Sequence, residues 1–141
     1  MIRKYQPTDE DAVVEVWFQA ASLAHPFVPA EFMESEEKNT REIYLPNTET
    51  WVYVEEDKVV GFIAMMGNEV GAIFLLPSFH GKGIGTKLMN HVAQFHEILE
   101  VEVFEKNRIG RAFYAKYGFE FIKKHVHSVT GEVLLRLRYS S

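Results

Sequence analysis

The chain contains no cysteine. That excludes a disulfide framework, a thiolate metal site and covalent catalysis through a thiolate. No run of apolar residues approaches the roughly 18 needed to span a bilayer. The opening Met1-Ile2-Arg3-Lys4-Tyr5 has no apolar signal core, so a cytoplasmic location is the expectation. Basic residues are also in short supply: 15 Lys and Arg against 20 Asp and Glu give a net charge of −5. This speaks against nonspecific nucleic-acid binding, which draws most of its affinity from cations facing phosphates.

What is present suffices for one core. With 141 residues, 47% of them hydrophobic, the chain is expected to form a single domain over 1–141. Its charge is uneven. Up to Lys58 acidic residues dominate (Asp9, Glu10, Asp11, Glu34, Glu36 and Glu37 among them), and from Gly61 onward the balance turns mildly basic. An anionic ligand would favour the second half and a cationic one the first.

Periodicity divides the chain into strands and helices. A strand over 2–6 leads through Pro7-Thr8, with Thr8 as the expected N-cap, into a helix whose apolar face carries Val13, Val16, Trp17, Ala20 and Ala24. His25-Pro26-Phe27-Val28-Pro29 cannot be regular helix. A polar helix is expected over 30–44, ending near Pro46. Strands follow over 50–55, 59–66 and 70–76, joined by short turns as an antiparallel meander. The run His80-Gly81-Lys82-Gly83-Ile84-Gly85 then opens a helix with the stripe Ile84, Leu88, Val92 and Phe95. A strand over 99–104, a helix over 108–117 stopped by Gly118, and strands over 119–126 and 132–138 complete the chain.

Three glycines in five residues ahead of a helix let backbone amides converge where the helix dipole adds positive charge, which suits a pyrophosphate. Thr86 and Lys82 would add a hydroxyl and a cation. The spacing is not that of the ATP-binding loop, because Thr86 follows glycine rather than Gly-Lys, nor that of the dinucleotide fingerprint, whose third glycine would fall on Thr86 or Leu88. A tight strand-to-helix connection alone is the plain alternative.

Together with a second motif, this loop resembles that of the GNAT acetyltransferase superfamily. Its coenzyme loop reads Arg or Gln, two residues, Gly, one residue, Gly or Ala; Gly83 and Gly85 match, while His80 stands at the first position. Asn107, then Tyr114 seven residues on and Gly118-Phe119 behind it, is similar to the second motif. The likeness extends over nearly the whole chain, and Leu23-Ala24-His25-Pro26-Phe27 brings it nearest to small bacterial lysine acetyltransferases.

The resemblance implies an α+β fold: a bent, mostly antiparallel mixed sheet of about seven strands with about four helices, its central strands splayed around the coenzyme arm. It implies acetyl-CoA as cosubstrate, held by Phe74, Leu75, Leu76, the loop His80, Gly81, Lys82, Gly83, Ile84, Gly85 and Thr86, and by Asn107, Phe113 and Tyr114. Backbone groups near Phe74, Leu75 and Leu76 are expected to lack sheet partners, with the Leu75 amide as oxyanion donor.

Acetyl transfer to an amine needs a neutral amine and a proton for the departing thiolate. Tyr114 is the expected general acid, with a core tyrosine as the alternative. Glu69 is the expected base, with His25, Glu105 or a water relay as rivals. The acidic first half and an apolar wall of Phe27, Val28, Phe32 and Trp51 beside His25 suggest a cationic acceptor, a protein lysine or a small amine. No His or carboxylate pair has zinc-enzyme spacing, so no metal is expected. Two other readings stand beside this one: a noncatalytic acyl-CoA sensor, and an acetyltransferase toxin acting on charged tRNA, which the acidic composition disfavours. Relatives of this type often form homodimers, but no segment marks an interface.

Overall fold

The computed structural model describes residues 1–141. One mixed sheet takes in all seven strands in the order β1-β2-β3-β4-β5-β7-β6. The strands are β1 (Ile2–Lys4), β2 (Glu49–Glu55), β3 (Lys58–Met66), β4 (Glu69–Leu75), β5 (Ile98–Phe104), β6 (Glu120–Val126) and β7 (Val133–Ser140). β2, β3 and β4 form the expected antiparallel meander. Asp57 and Gly67, both at positive φ, make its two turns.

The helices are α1 (Glu10–Ala24), α2 (Ala30–Asn39), α3 (Leu45–Asn47), α4 (Ile84–Ala93) and α5 (Arg108–Tyr117). α2, a π-helical turn over Thr40–Tyr44 and α3 run on without a break. The helix therefore ends near Pro46 as expected, running one residue beyond it to Asn47. A proline in a regular helix loses one bond and crowds the preceding turn, and widening that turn relieves the clash.

The start of α1 also differs from expectation. Thr8 is not the cap; Pro7–Asp9 form a 3-10 turn, and buried Asp9 accepts from the Gln6 amide at 2.9 Å and from Arg3 at 2.8 and 2.9 Å. A carboxylate with a guanidinium partner outcompetes a hydroxyl here. Phe95 falls beyond the end of α4 and is 60% exposed, whereas Ile84, Leu88 and Val92 are buried as the stripe requires.

α1 packs on β3 and β4, and α4 packs on β2, β3 and β4. α5 lies beside α4, tied by the Tyr117 hydroxyl donating to Asn90 at 2.7 Å and by Phe113 against Gly85. The core between these layers holds Val13, Val16, Phe62, Ile63, Leu88, Met89, Leu99 and Val101, each no more than 2% exposed. Parallel β4 and β5 pair only at Glu69–Glu100 and Val70–Val101 and then diverge. That divergence creates the site.

Candidate active site

A cleft of about 710 Å³ runs through the gap between β4 and β5. The Leu76 amide donates to the Val60 carbonyl across β3 at 2.8 Å. By antiparallel alternation Phe74 also turns its backbone toward β3, and Leu75 and Ile73 turn theirs toward the gap. Contrary to expectation, Leu76 and Phe74 thus have their sheet partners on β3 and only Leu75 of the three turns its backbone to the gap; Phe74 and Leu75 line the cleft, and Leu76 does not. Gly61 lets the strands lie this close, since a Cβ there would overlap the Leu75 side chain.

The glycine loop forms one end of the cleft. Gly81 and Gly83 have φ of 77° and 80°, and Gly83 is the N-cap of α4. The first helical bond runs from the Lys87 amide to the Gly83 carbonyl. The amides of Ile84, Gly85 and Thr86 are therefore left for a ligand, and an anion suits that end of the dipole. A Cβ at Gly85 would stand 3.0 Å from the Phe113 ring.

His80, Gly81, Gly83, Ile84, Gly85, Thr86 and Phe113 line this end, but Lys82 does not. The Lys82 ammonium sits 4.9 Å from the Phe79 ring centre. The cation on the cleft wall is Lys116, which the spacing of α5 brings beside Tyr114 and Phe113. The His80 ring donates from Nε2 to the Leu75 carbonyl at 3.1 Å, covering one of the groups the splay leaves unpaired.

Tyr114 stands in the middle of the cleft wall, 7% exposed, with Phe113 and Phe119 against its ring. Burial pushes its phenol well above the ordinary value, so it holds its proton at any working pH. Asn107 is 7% exposed and caps α5, accepting from the Gly110 amide at 2.9 Å. With Oδ1 so assigned, its Nδ2 donates to His25 Nε2 at 3.2 Å. His25 is ringed by Phe27, Phe74 and Phe104. Burial lowers its pKa to about 4, so it is neutral, with its proton on Nδ1.

Three carboxylates, Glu36, Glu69 and Glu102, and the ring of His127 also line the cleft. Glu69 is bound through both oxygens by Arg136, at 3.2 and 3.4 Å. Arg136 also holds Glu100 at 2.7 Å. Glu102 is held loosely, 3.6 Å from His125 and 3.7 Å from Arg136, and its side chain keeps 29% of its exposure. Glu105 lies outside the cleft.

Of the expected wall only Phe32 lines the cleft; Phe27, Val28 and Trp51 do not. Trp51 pairs with Ile63 in register, on the sheet face that α4 covers, and its ring centre is 4.3 Å from that of His91. One residue along, Val52 pairs with the cleft-lining Phe62. Strand alternation thus turned Trp51 away. Phe27 sits behind the wall, edge-on to His25 and Phe104. Glu36, Glu102, Lys116 and His127 were not selected from sequence. The alternation of β5 and the period of α5 were the available signals, but neither says which face meets a gap. No group of three His, Asp or Glu side chains is arranged to hold a metal ion.

The comparisons with known proteins agree with this geometry. The family model of the acetyltransferase (GNAT) domain matches residues 46–121. Peptidyl-lysine N-acetyltransferase YiaC of Escherichia coli K12 is 35% identical over 86% of this chain and 84% of its own. Its counterpart YjaB from the same organism is 32% identical over 84% and 81%. The solution structure of apo YjaB superposes with a TM-score of 0.89 over 99% of this chain and 96% of that one, at 30% identity. The PaiA N-acetyltransferase of Thermoplasma acidophilum, solved in complex with coenzyme A, shares the fold at 21% identity, with a TM-score of 0.78 over 99% and 98%. A glycine loop at a helix N-terminus, a splayed strand pair and a buried tyrosine between them belong together in one family: this chain is a member of the GNAT acetyltransferases.

Proposed function

We propose that the protein transfers the acetyl group of acetyl-CoA to the side-chain amine of a protein lysine by direct attack within a ternary complex. The observation that carries this reading is the polarity of one continuous cleft. The free helix-end amides of α4 lie beyond the C-terminal end of β4, the protonated Tyr114 lines the wall, and Glu69 and Glu102 lie toward the other end, where β4 and β5 still pair. Anionic coenzyme and cationic acceptor thus have opposite ends to bind. The lysine acceptor is supported by the names of YiaC and YjaB, and coenzyme A by its presence in the complex with PaiA.

Acetyl-CoA supplies the activated acyl group when bound. The amides of Ile84, Gly85 and Thr86 hold its pyrophosphate, with Lys116 as the nearby cation. The backbone edge of Ile73 and Leu75 orients its amide-bearing arm in place of the missing strand. The Leu75 N–H, facing the gap, donates to the acyl oxygen as negative charge develops there. Tyr114 keeps its phenolic proton and gives it to the departing sulfur.

At the far end we assign the amine's proton to Glu102 rather than Glu69. Both oxygens of Glu69 are occupied by Arg136, and Glu102 has no partner nearer than 3.6 Å. Neutral His25 positions the acceptor side without adding a charge that would repel a cation.

The test is acetylation of lysine peptides followed by mass spectrometry, with Tyr114→Phe and Glu102→Gln beside the wild type. Tyr114→Phe is expected to lower kcat about 10²- to 10⁴-fold and to leave acetyl-CoA binding in place. Acetyl-CoA binding with no turnover on any amine would replace this reading with that of an acyl-CoA sensor.

A further inference from the structure

A second groove lies on the opposite side of α5 from the cleft. Arg108, Arg111, Ala112 and Ala115, spaced i, i+3, i+4 and i+7, face it, and Phe113 and Tyr114 face the cleft. Its floor is apolar: Phe119, Leu135 and Leu137 are buried beneath it, and Phe121 stands 60% exposed at its edge. Three cations rim it, Arg108, Arg111 and Lys124, against the single carboxylate of Glu105.

None of the three cations has a carboxylate within 4.0 Å; Arg111 donates instead to the Glu105 backbone carbonyl at 3.0 Å. In a chain with net charge −5 this is a local reversal of sign. The groove is also bordered by β6, the last strand of the sheet order, all seven of whose residues are exposed. Alternate amides and carbonyls of β6 point away from β7 with no partner, an edge that another strand can extend.

We propose that this groove, running beside β6, is a docking site for an extended segment of a protein partner in which carboxylates alternate with apolar side chains. Charge complementarity selects the carboxylates: they meet Arg108, Arg111 and Lys124. Apolar side chains on the other face of the segment settle on Phe119, Phe121, Leu135 and Leu137. An apolar floor bordered by a strand edge fits a peptide better than a nucleic acid, which needs a positively charged track with exposed stacking faces. That the partner is the protein being acetylated rests on the reading above; the docking does not. A substrate held here would raise the local concentration of its lysines at the cleft mouth across α5, a helix diameter of roughly 10 Å away.

The test uses the full chain and a fluorescein-labelled eight-residue peptide alternating glutamate and leucine, with a lysine–leucine peptide as control. Fluorescence anisotropy is expected to show binding of the acidic peptide alone, weakened by salt. The double variant Arg108→Glu/Lys124→Glu is expected to weaken it at least tenfold. Both side chains lie at the surface, and glutamate at the first position of α5 is favourable to the helix, so the fold is retained; far-UV circular dichroism checks this. In acetylation assays the variant raises KM for a lysine peptide carrying the acidic segment and leaves kcat, and the turnover of a peptide without it, unchanged.

Equal binding of both peptides, or binding indifferent to the variant, overturns the proposal. So does tighter binding of a single-stranded DNA octamer, which would assign the groove to nucleic acid. A concentration-dependent dimer in sedimentation, abolished by the variant and accompanied by no peptide binding, would assign it to a second copy. Charge-dependent peptide binding by a protein that acetylates no amine would sink the acetyltransferase reading and leave the docking surface standing.

Discussion

Asn107 joins the two halves of the site through one amide, and replacing it separates the two contributions. Asn107→Ala removes the α5 cap, a loss of about 1 kcal/mol. It also leaves His25 Nε2 without its donor inside an aromatic ring, at about 1–3 kcal/mol. The expected total is roughly 2–4 kcal/mol. With a urea slope of about 2 kcal/mol per molar, the midpoint should fall by roughly 1–2 M at pH 8.

Asn107→Asp keeps the oxygen that accepts from Gly110 and replaces the donor to His25 with an acceptor. At pH 8 the carboxylate faces an unprotonated ring nitrogen, so most of the His25 penalty persists. At pH 5 a proton between the two makes a charge-assisted bond, and His25 is raised from its wild-type value of about 4. Asn107→Asp should therefore recover stability relative to the wild type between pH 8 and pH 5, and Asn107→Ala should not. Urea unfolding of the coenzyme-free protein at both pH values reads this directly. Equal losses for both variants at both pH values would refute the coupling of Asn107 to His25.

The wild type itself should respond to pH through His25. Its folded pKa is depressed from 6.5 to about 4, so the unfolded chain takes up its proton first; stability present above pH 6.5 is lost as pH falls toward 4, by up to about 3 kcal/mol. His25→Gln should flatten that part of the profile in thermal melts across pH 4–8. Gly83→Ala has open space around its Cβ but a φ of 80°, so it should cost roughly 1–2 kcal/mol of stability through backbone strain alone and weaken acetyl-CoA in calorimetry by moving the helix-end amides. Arg136→Met leaves Glu69 without a guanidinium and Glu100 with that of Arg138 alone; Glu100, now held below its usual carboxylate range by Arg136 and Arg138, gives stability above that range that is lost in acid, and the variant should lose about 1–3 kcal/mol near pH 7 and less near pH 3 in urea titrations.

The order of elements was legible because it depends on neighbours in the chain. Period two in 50–76, period 3.6 in 84–92 and 108–117, and glycine at 83 and 118 act over a few residues, and short-range sterics and hydrogen bonds decide them. The glycine loop and the spacing from Asn107 to Tyr114 were legible for the same reason. Both are local segments that fix the backbone of one helix end.

Faces and distances were not. Trp51, one residue out of step with Val52, went to the α4 side, because a strand's alternation fixes two faces and only its pairing with β3 says which is which. Glu69 was legible as a carboxylate beside the site, but its engagement by Arg136 joins positions 67 residues apart, and no local pattern records that. The same holds for His25 and Asn107, 82 residues apart. Sequence determined which groups the chain could bring to an acetyl transfer. Tertiary structure decided which are free to act, because hydrogen bonding, burial and charge pairing are settled between segments that meet only when the sheet opens between β4 and β5.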